Sequence, residues 1–395
     1  MPAWLLPDHI ADSLPAEARR IEELRRRCLD AARSFGYELV MPPLLEYADS
    51  LLSGTGQDLD LLTFKLTDQL SGKTLGLRAD ITPQVARIDA HLLNRAGVAR
   101  LCYAGAVLHT HAQGALASRE QQQFGAELYG HAGIEADSEV IELALDCLVH
   151  AGVSQTLVID FADVRILRGL LQGVTLTAEH HATLLNALAS KDLSSLAELA
   201  SALRWSSDRS AAIASLCKLY GGLEVVEKAR QTLPPHPLIT QALDDIAALA
   251  AVAVQQRSAL SINIDLADLR GYHYYSATSF MLYVNGLQHA LVRGGRYDDI
   301  GAAFGRARTA TGFGLYLGDL AAVSALQAPR GAIAAPWSDD STLRATVRAL
   351  RASGETVVYA LPGHTHQADE FSVDRQLALT ASGWNVSPIS AAATF

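Results

Sequence analysis

Two short runs of the chain, Leu77-Arg78-Ala79-Asp80-Ile81-Thr82 and Gln123-Phe124-Gly125-Ala126-Glu127, carry polar groups of the kind that hold a small cation. An ammonium group needs carboxylates and neutral acceptors converging on it, and Asp80, Thr82, Gln123 and Glu127 could supply that set if the two runs adjoin. A solvated sheet edge carries the same residue types, so these runs leave both readings open. Further along stand Leu269-Arg270-Gly271-Tyr272-His273-Tyr274-Tyr275 and Leu291-Val292-Arg293-Gly294-Gly295-Arg296-Tyr297-Asp298. The planar fork of Arg270 suits a carboxylate better than a lysine would, and the missing Cβ atoms of Gly294 and Gly295 let backbone approach a ligand. Metal chemistry has no comparable support. Cys28, Cys102, Cys147 and Cys217 lie far apart with no CxxC pair, so reduced thiols and no metal or cofactor site are expected.

Several elements must position these groups. From Ala16 to Phe35 apolar residues recur at helical spacing, and Gly36 suits the left-handed end of a helix. Tyr37 to Met41 then reads as a strand stopped by Pro42 and Pro43. Lys73 to Asn94 passes from strand into helix, with Thr82 and Pro83 suited to the N-cap and first helical positions. Leu101–Thr110 and Gln123–Gly130 predict two strands flanking a loop of small and polar residues, and this hairpin is the expected site region. Helix is predicted for Glu139–His150, and strand for Leu157–Phe161. Between about Leu167 and Val254 nearly every stretch is helical in character. Strand signals return at Leu260–Asp265, Ser279–Val284 and His289–Val292, and Thr311–Ala322 reads as a strand running into a helix. From Arg330 the pattern alternates strand (Ala332–Ala335), helix (Ser341–Ala352), strand (Thr356–Leu361) and helix (Asp374–Ser382), as in a small α/β unit.

Composition narrows the function. With 395 residues and 49% hydrophobic content, one large domain and a smaller one are expected. The net charge of −10 repels phosphate backbones, and no Lys/Arg-rich run offsets it. Nucleic acid is therefore not an expected partner. The first fifteen residues contain Pro2, Pro7, Asp8, Asp12 and Pro15 and lack the basic start and apolar run of a signal peptide, so a cytoplasmic location is expected. The most apolar stretch, Ile246 to Val254, is about half the length that crosses a bilayer, so no membrane partner is expected.

The segments around Asp80, Glu127, Arg270 and Gly294 resemble histidyl-tRNA synthetases of the class II aminoacyl-tRNA synthetase-like family. The run Phe35-Gly36-Tyr37-Glu38-Leu39-Val40-Met41-Pro42-Pro43-Leu44-Leu45-Glu46 is similar to motif 1, the dimer element of that class. The resemblance implies an α+β fold: a six- or seven-stranded antiparallel sheet flanked by helices, with a helical insertion at about 167–255. It implies domains at 1–328 and, as a small α/β unit, at 329–395. It further implies a histidine pocket of Asp80, Thr82, Gln123, Glu127, Arg270, Tyr274, Tyr275, Gly294 and Gly295. Here Arg270 lies beside the ligand carboxylate and Tyr275 contacts the imidazole. Asp80 is shorter than the family's usual glutamate, and His273 stands where an acidic residue is usual.

What is missing bears on chemistry. In the synthetases an arginine on the motif 2 strand clamps the α-phosphate, and another on the motif 3 helix reaches the nucleotide. Here the first position is His109 in Ala106-Val107-Leu108-His109-Thr110-His111, and the motif 3 Glu-Arg pair has become Gly318-Asp319. Arg119 resembles one remaining loop arginine, which cannot cover both losses. Removing one such donor costs roughly 100- to 1,000-fold in rate, so adenylation should be negligible. The C-terminal unit is also shorter than an anticodon-binding domain. These losses resemble one branch of the family, the regulatory subunits of ATP phosphoribosyltransferase. That resemblance implies a non-catalytic chain in histidine biosynthesis. It would assemble with the short catalytic subunit, activate it and convey feedback inhibition by L-histidine, with self-association through motif 1. The alternative is a divergent histidyl-tRNA synthetase, which histidine-dependent ATP–pyrophosphate exchange would reveal.

Overall fold

The amphipathic run folds as the helix Pro15–Ser34, burying Leu24, Cys28, Ala31 and Ala32 on one stripe. It ends in a Schellman motif: Tyr37 N–H donates to Ala32 O, Gly36 N–H donates to Arg33 O, and Gly36 takes φ 83°. The computed structural model describes residues 4–389 apart from 54–56, 113, 115–116, 258, 299, 327–330 and 365–370. Its chain forms two units, residues 1–326 and 327–395.

The first unit contains strands β1 Glu38–Leu39, β2 Leu45–Tyr47, β3 Phe64–Thr67, β4 Thr74–Leu77, β5 Ala99–Leu108, β6 Glu120–Tyr129, β7 Leu157–Asp163, β8 Tyr220–Gly221, β9 Ser261–Asp265, β10 Thr278–Val284, β11 Val292–Arg296 and β12 Ala310–Tyr316. Nine of them form one sheet in the order β1-β5-β6-β12-β11-β10-β7-β9-β8, and β2-β4-β3 form a small second sheet. The large sheet is antiparallel from β5 through β7, and parallel where β1 meets β5 and where β7 meets β9. Six or seven strands were expected. The two-residue edge strands β1 and β8 account for the larger number, and both are too short to show a period of two.

Alternation along the central strands separates two environments. Phe124, Ala126 and Leu128 of β6, Phe313 and Leu315 of β12, Val292 of β11 and Phe280 and Leu282 of β10 face the main core. The helices Pro15–Ser34, Ile134–His150 and Pro237–Gln256 contribute Leu24, Val140 and Ile246 to that core. The intervening residues, Gln123, Glu127, Gly312, Gly314, Arg293 and Met281, line a cavity. Beside it a smaller cluster forms under the helix Thr82–Arg87, including Val85, Leu101, Tyr103, Val107 and Tyr297.

The insertion consists of helices from Val164–Leu170 to Pro237–Gln256, interrupted by β8. Pro237–Gln256 is long and apolar enough to cross a membrane. It instead buries Ile239, Leu243, Ile246 and Leu249 and packs against the helices Ile134–His150 and Val164–Leu170.

Three local expectations change. Thr82 is the first residue of its helix and Ile81 the N-cap; the Thr82 hydroxyl is taken by Tyr103 and Glu127 instead of a backbone N–H. The strand expected at His289–Val292 begins at Val292 and continues to Arg296, because pairing with both β10 and β12 favours extended backbone through the two glycines. In the second unit β13 Ala332–Pro336, the helix Ser341–Ala352 and β14 Val357–Ala360 follow the expected order, but Asp374–Ser382 is not a helix. It forms β15 Val373–Thr380 and the turn into β16 Gly383–Pro388. The Ala, Leu and Gln of this stretch favour helix locally, and pairing with β13 and β16 overrides that preference.

Candidate functional site

The sheet register builds the site. Glu127 on β6 lies opposite Gly312 on β12, which lies opposite Gly295 on β11; one pleat away Gly125, Gly314 and Arg293 form the parallel series. Glycines thus strip side chains from the centre of this face and open a cavity of about 380 Å³. A Cβ on Gly312 would sit 1.6 Å from Glu127 Oε2, and one on Gly125 would sit 2.3 Å from the Tyr103 hydroxyl. Neither position accepts a side chain without displacing the group beside it.

On the β6 side Glu127 is buried at 1% exposure. Its Oε1 accepts from Thr82 Oγ1 at 3.0 Å and from Tyr103 at 3.0 Å, and its Oε2 accepts from Tyr297. Burial pushes the carboxyl up to about 8; the hydroxyl donors oppose that rise and nearby Asp80 adds to it. Next to it Gln123 is fixed at both ends: Oε1 accepts from Ile81 N–H at 3.0 Å and Nε2 donates to Asp80 Oδ1 at 2.7 Å. The two runs do adjoin, and Asp80, Thr82, Gln123 and Glu127 all line the cavity.

Across the cavity, Arg270, Tyr274, Tyr275 and Gly294 line the opposite side. Gly271 at φ 76° makes the turn, and its backbone O accepts from Tyr274 and Tyr275 N–H, each at 2.8 Å. A Cβ there would meet the Tyr275 ring at 2.8 Å, so the ring folds back over the glycine. Tyr274 stacks on Tyr297 with centroids 5.2 Å apart. Arg168 grips this turn from the helix Val164–Leu170, donating to the backbone oxygens of Tyr272, Tyr275 and Ser276.

One expected residue, and one neighbour of the expected set, stand elsewhere. Gly295 does not line the cavity; at φ 150° its missing Cβ leaves room for Ser279 Cα at 2.7 Å and for the Tyr275 ring at 3.0 Å. His273 also lies outside the lining, against His181 of the insertion at 4.9 Å between ring centroids. The groups missed as site residues include Tyr103 and Tyr297, which hold Glu127; Tyr316, on the cavity face of β12; and Arg293. The alternation Ala310-x-Gly312-x-Gly314-x-Tyr316 was the available signal for the β12 face.

The expected phosphate-binding positions are occupied by groups with other partners. His109 is 3% exposed and its Nε2 lies 3.0 Å from Ala79 O. A carbonyl only accepts, so Nε2 carries the proton, and burial holds the ring's pKa below its usual value. Asp319 Oδ2 lies 2.8 Å from His289 Nε2. Arg119 donates to His109 O at 3.1 Å and stacks its guanidinium on Phe64 at 4.9 Å.

The histidyl-tRNA synthetase family model matches residues 9–320, and the model described as ATP phosphoribosyltransferase subunit HisZ C-terminal domain matches residues 330–387. The chain is 58% identical over 385 residues to the ATP phosphoribosyltransferase regulatory subunit of Cupriavidus taiwanensis, covering 98% of this chain and 99% of that one. It superposes with a TM-score of 0.80 on a Bacillus halodurans protein described as ATP phosphoribosyltransferase regulatory subunit/histidyl-tRNA synthetase, at 28% identity over 93% of this chain and 95% of that one. A chain of the ATP phosphoribosyl transferase (HisG:HisZ) complex from Thermotoga maritima shares the fold at 16% identity and a TM-score of 0.58, over 78% of this chain and 98% of that one.

Proposed function

The chain belongs to the histidyl-tRNA synthetase family and, within it, to the regulatory subunits of ATP phosphoribosyltransferase, and on that premise we propose that it binds L-histidine in the cavity and conveys feedback inhibition to a short catalytic subunit without chemistry of its own. One observation carries the reading. The amino-acid side of the cavity is built and cross-braced, with Asp80, Thr82, Gln123 and Glu127 joined to one another. The positions that would hold nucleotide phosphates carry His109, tied to Ala79, and Asp319, tied to His289. A site that keeps recognition of the amino acid and lacks the groups that stabilise transferring charge suits sensing better than catalysis.

The mechanism is linkage: histidine binds one state of the assembly more tightly and shifts the catalytic chain toward its less active state. A coupling of about 1 to 3 kcal/mol gives a 5- to 150-fold effect. Self-association through motif 1 belongs to the same proposal. It is supported by the exposed apolar side chains of Leu39, Met41, Leu44, Leu45 and Tyr47, of which Met41 is 78% exposed.

The test is a phosphoribosyltransferase assay on the short catalytic subunit, with and without this chain, titrated with histidine. Stimulation by the chain together with histidine-dependent inhibition is expected. The proposal fails if the chain changes neither rate nor inhibition. If Glu127→Ala and Arg270→Ala both leave inhibition at the wild-type histidine concentration, the cavity is not the sensor.

A further inference from the structure

The cavity holds two guanidinium groups in different electrostatic situations. Arg270 is already paired: its Nε donates to Asp268 at 2.8 and 3.0 Å, its Nη2 donates to the same carboxylate, and Nη2 also donates to the Tyr283 hydroxyl at 3.1 Å. A ligand carboxylate approaching Arg270 must share it with Asp268, and two carboxylates at one cation repel each other. Arg293 also lines the cavity and is exposed. Among the described residues, no hydrogen bond or ion pair engages its side chain.

Register places Arg293 at one end of an open trough. It pairs with Gly314 on β12, and Gly314 pairs with Gly125 on β6, so two successive neighbours on this face lack side chains. A Cβ on Gly314 would lie 3.4 Å from Gln123 Nε2 and 3.8 Å from the Tyr103 hydroxyl. The far end of the trough is therefore the Asp80–Gln123–Glu127 group. Two strand spacings, roughly 9 to 10 Å, separate the Arg293 backbone from that of Gly125, and Gln123 and Glu127 stand two residues to either side of Gly125 on β6. With the arginine and carboxylate side chains reaching inward, that span suits a single amino acid. Tyr275 and Tyr316 line the same cavity as Arg293 and wall the trough; burial pushes both phenols up, and the charge of Arg293 opposes the rise in each.

We propose that Arg293 reads the carboxylate of the bound amino acid, while Arg270, neutralised by Asp268, shapes the rim. This inference rests on the amino-acid-binding reading above and assigns a specificity residue within it. An anion acceptor at one end and carboxylates at the other complement a zwitterion, and they discriminate against amines whose carboxylate is masked or absent.

The experiment is calorimetric titration of the full-length chain with L-histidine, L-histidine methyl ester and histamine, for wild type and for the Arg293→Ala, Arg293→Lys and Arg270→Ala variants. Wild type is expected to prefer histidine over the ester by roughly 10- to 100-fold, the range of one charge-assisted hydrogen-bonded contact. Arg293→Ala should bring that ratio near unity by weakening histidine alone; Arg293→Lys should fall between, since it keeps the charge without the fork. Arg270→Ala should keep the ratio. A ratio unchanged in Arg293→Ala, or lost only in Arg270→Ala, overturns the assignment and leaves the amino-acid reading standing. Absence of histidine binding to wild type overturns both. Arg293 is exposed, so its variants should keep the wild-type melting temperature, which the same samples report.

Discussion

Thr82 Oγ1 lies 3.0 Å from Glu127 Oε1, tying the first turn of the helix Thr82–Arg87 to the middle of β6. The Tyr103 and Tyr297 hydroxyls also donate to this carboxylate. Three hydroxyls thus converge on one buried acid, and because each is neutral the acid is stabilised without a partner cation. That arrangement leaves Glu127 costly to ionise, and a cationic ligand beside it would lower that cost.

Stability should therefore depend on pH through Glu127. Its folded pKa of about 8 lies above the ordinary value of 4.5, so the folded chain keeps a proton that the unfolded chain releases. The contribution is fully present below about pH 4.5 and is lost as pH rises through 8, with a slope of at most about 1.4 kcal/mol per pH unit. Urea unfolding of wild type and Glu127→Gln between pH 5 and 8, with the two curves subtracted, checks this; parallel curves would count against it.

Histidine binding should also move a proton. A ligand ammonium favours ionised Glu127, so binding near pH 7 is expected to release a proton from this residue. Calorimetry in buffers of different ionisation enthalpy measures the release, and Glu127→Gln should abolish that component.

Gly312→Ala is expected to disturb the site more than the fold. Its Cβ would fall 1.6 Å from Glu127 Oε2 and 2.6 Å from Ala126 O. Overpacking of this kind costs roughly 1 to 3 kcal/mol. The variant should melt cooperatively at a lower temperature and lose histidine binding by at least about tenfold, because Glu127 must leave its three donors. Unchanged affinity would show that this face is not the floor of the binding site.

Asp163→Ala should be strongly destabilising. Asp163 is fully buried and accepts from Arg165 Nη2 at 2.6 Å and Thr278 Oγ1 at 2.6 Å, while Arg165 also reaches Asp245 of the insertion at 2.7 Å. Removing one member of a buried ion pair costs roughly 3 to 5 kcal/mol. Chemical denaturation measures it, and a loss under about 1 kcal/mol would mean that Asp245 alone satisfies Arg165.

Histidine-dependent ATP–pyrophosphate exchange should be undetectable. Two absent charge-stabilising groups at roughly 100- to 1,000-fold each amount to about 10⁴- to 10⁶-fold. Exchange at a synthetase-like rate would restore the divergent-enzyme reading. In the same preparation, sedimentation should show association that Met41→Glu weakens, since that side chain is 78% exposed on the motif 1 segment; a monomer in wild type would dismiss that surface as a self-contact.

Much of the cavity lining was legible because its residues sit in short runs with restrictive chemistry. Arg270-Gly271-Tyr272 with Tyr274 and Tyr275, and the Gly294-Gly295 step, need only local sequence to be noticed. The helix expected at Asp374–Ser382 shows the limit of local preference, since pairing with β13 and β16 decided that segment. Arg293 passed unnoticed as a site residue because the sequence offers two arginines of equal formal charge and does not say which one has Asp268 as a partner.

By itself the sequence determined the family, the order of most elements and most of the polar residues that line the cavity, since these follow from residue type, spacing and local periodicity. Only the tertiary structure decided that Gly125, Gly312 and Gly314 open one trough between Arg293 and Glu127. It also decided that His109 is tied to Ala79 and that Arg270 is already neutralised. The reason is that alternation tells which face a residue takes, whereas register between β6, β12 and β11, and the partner each charge finds, come from pairings between residues far apart in the chain.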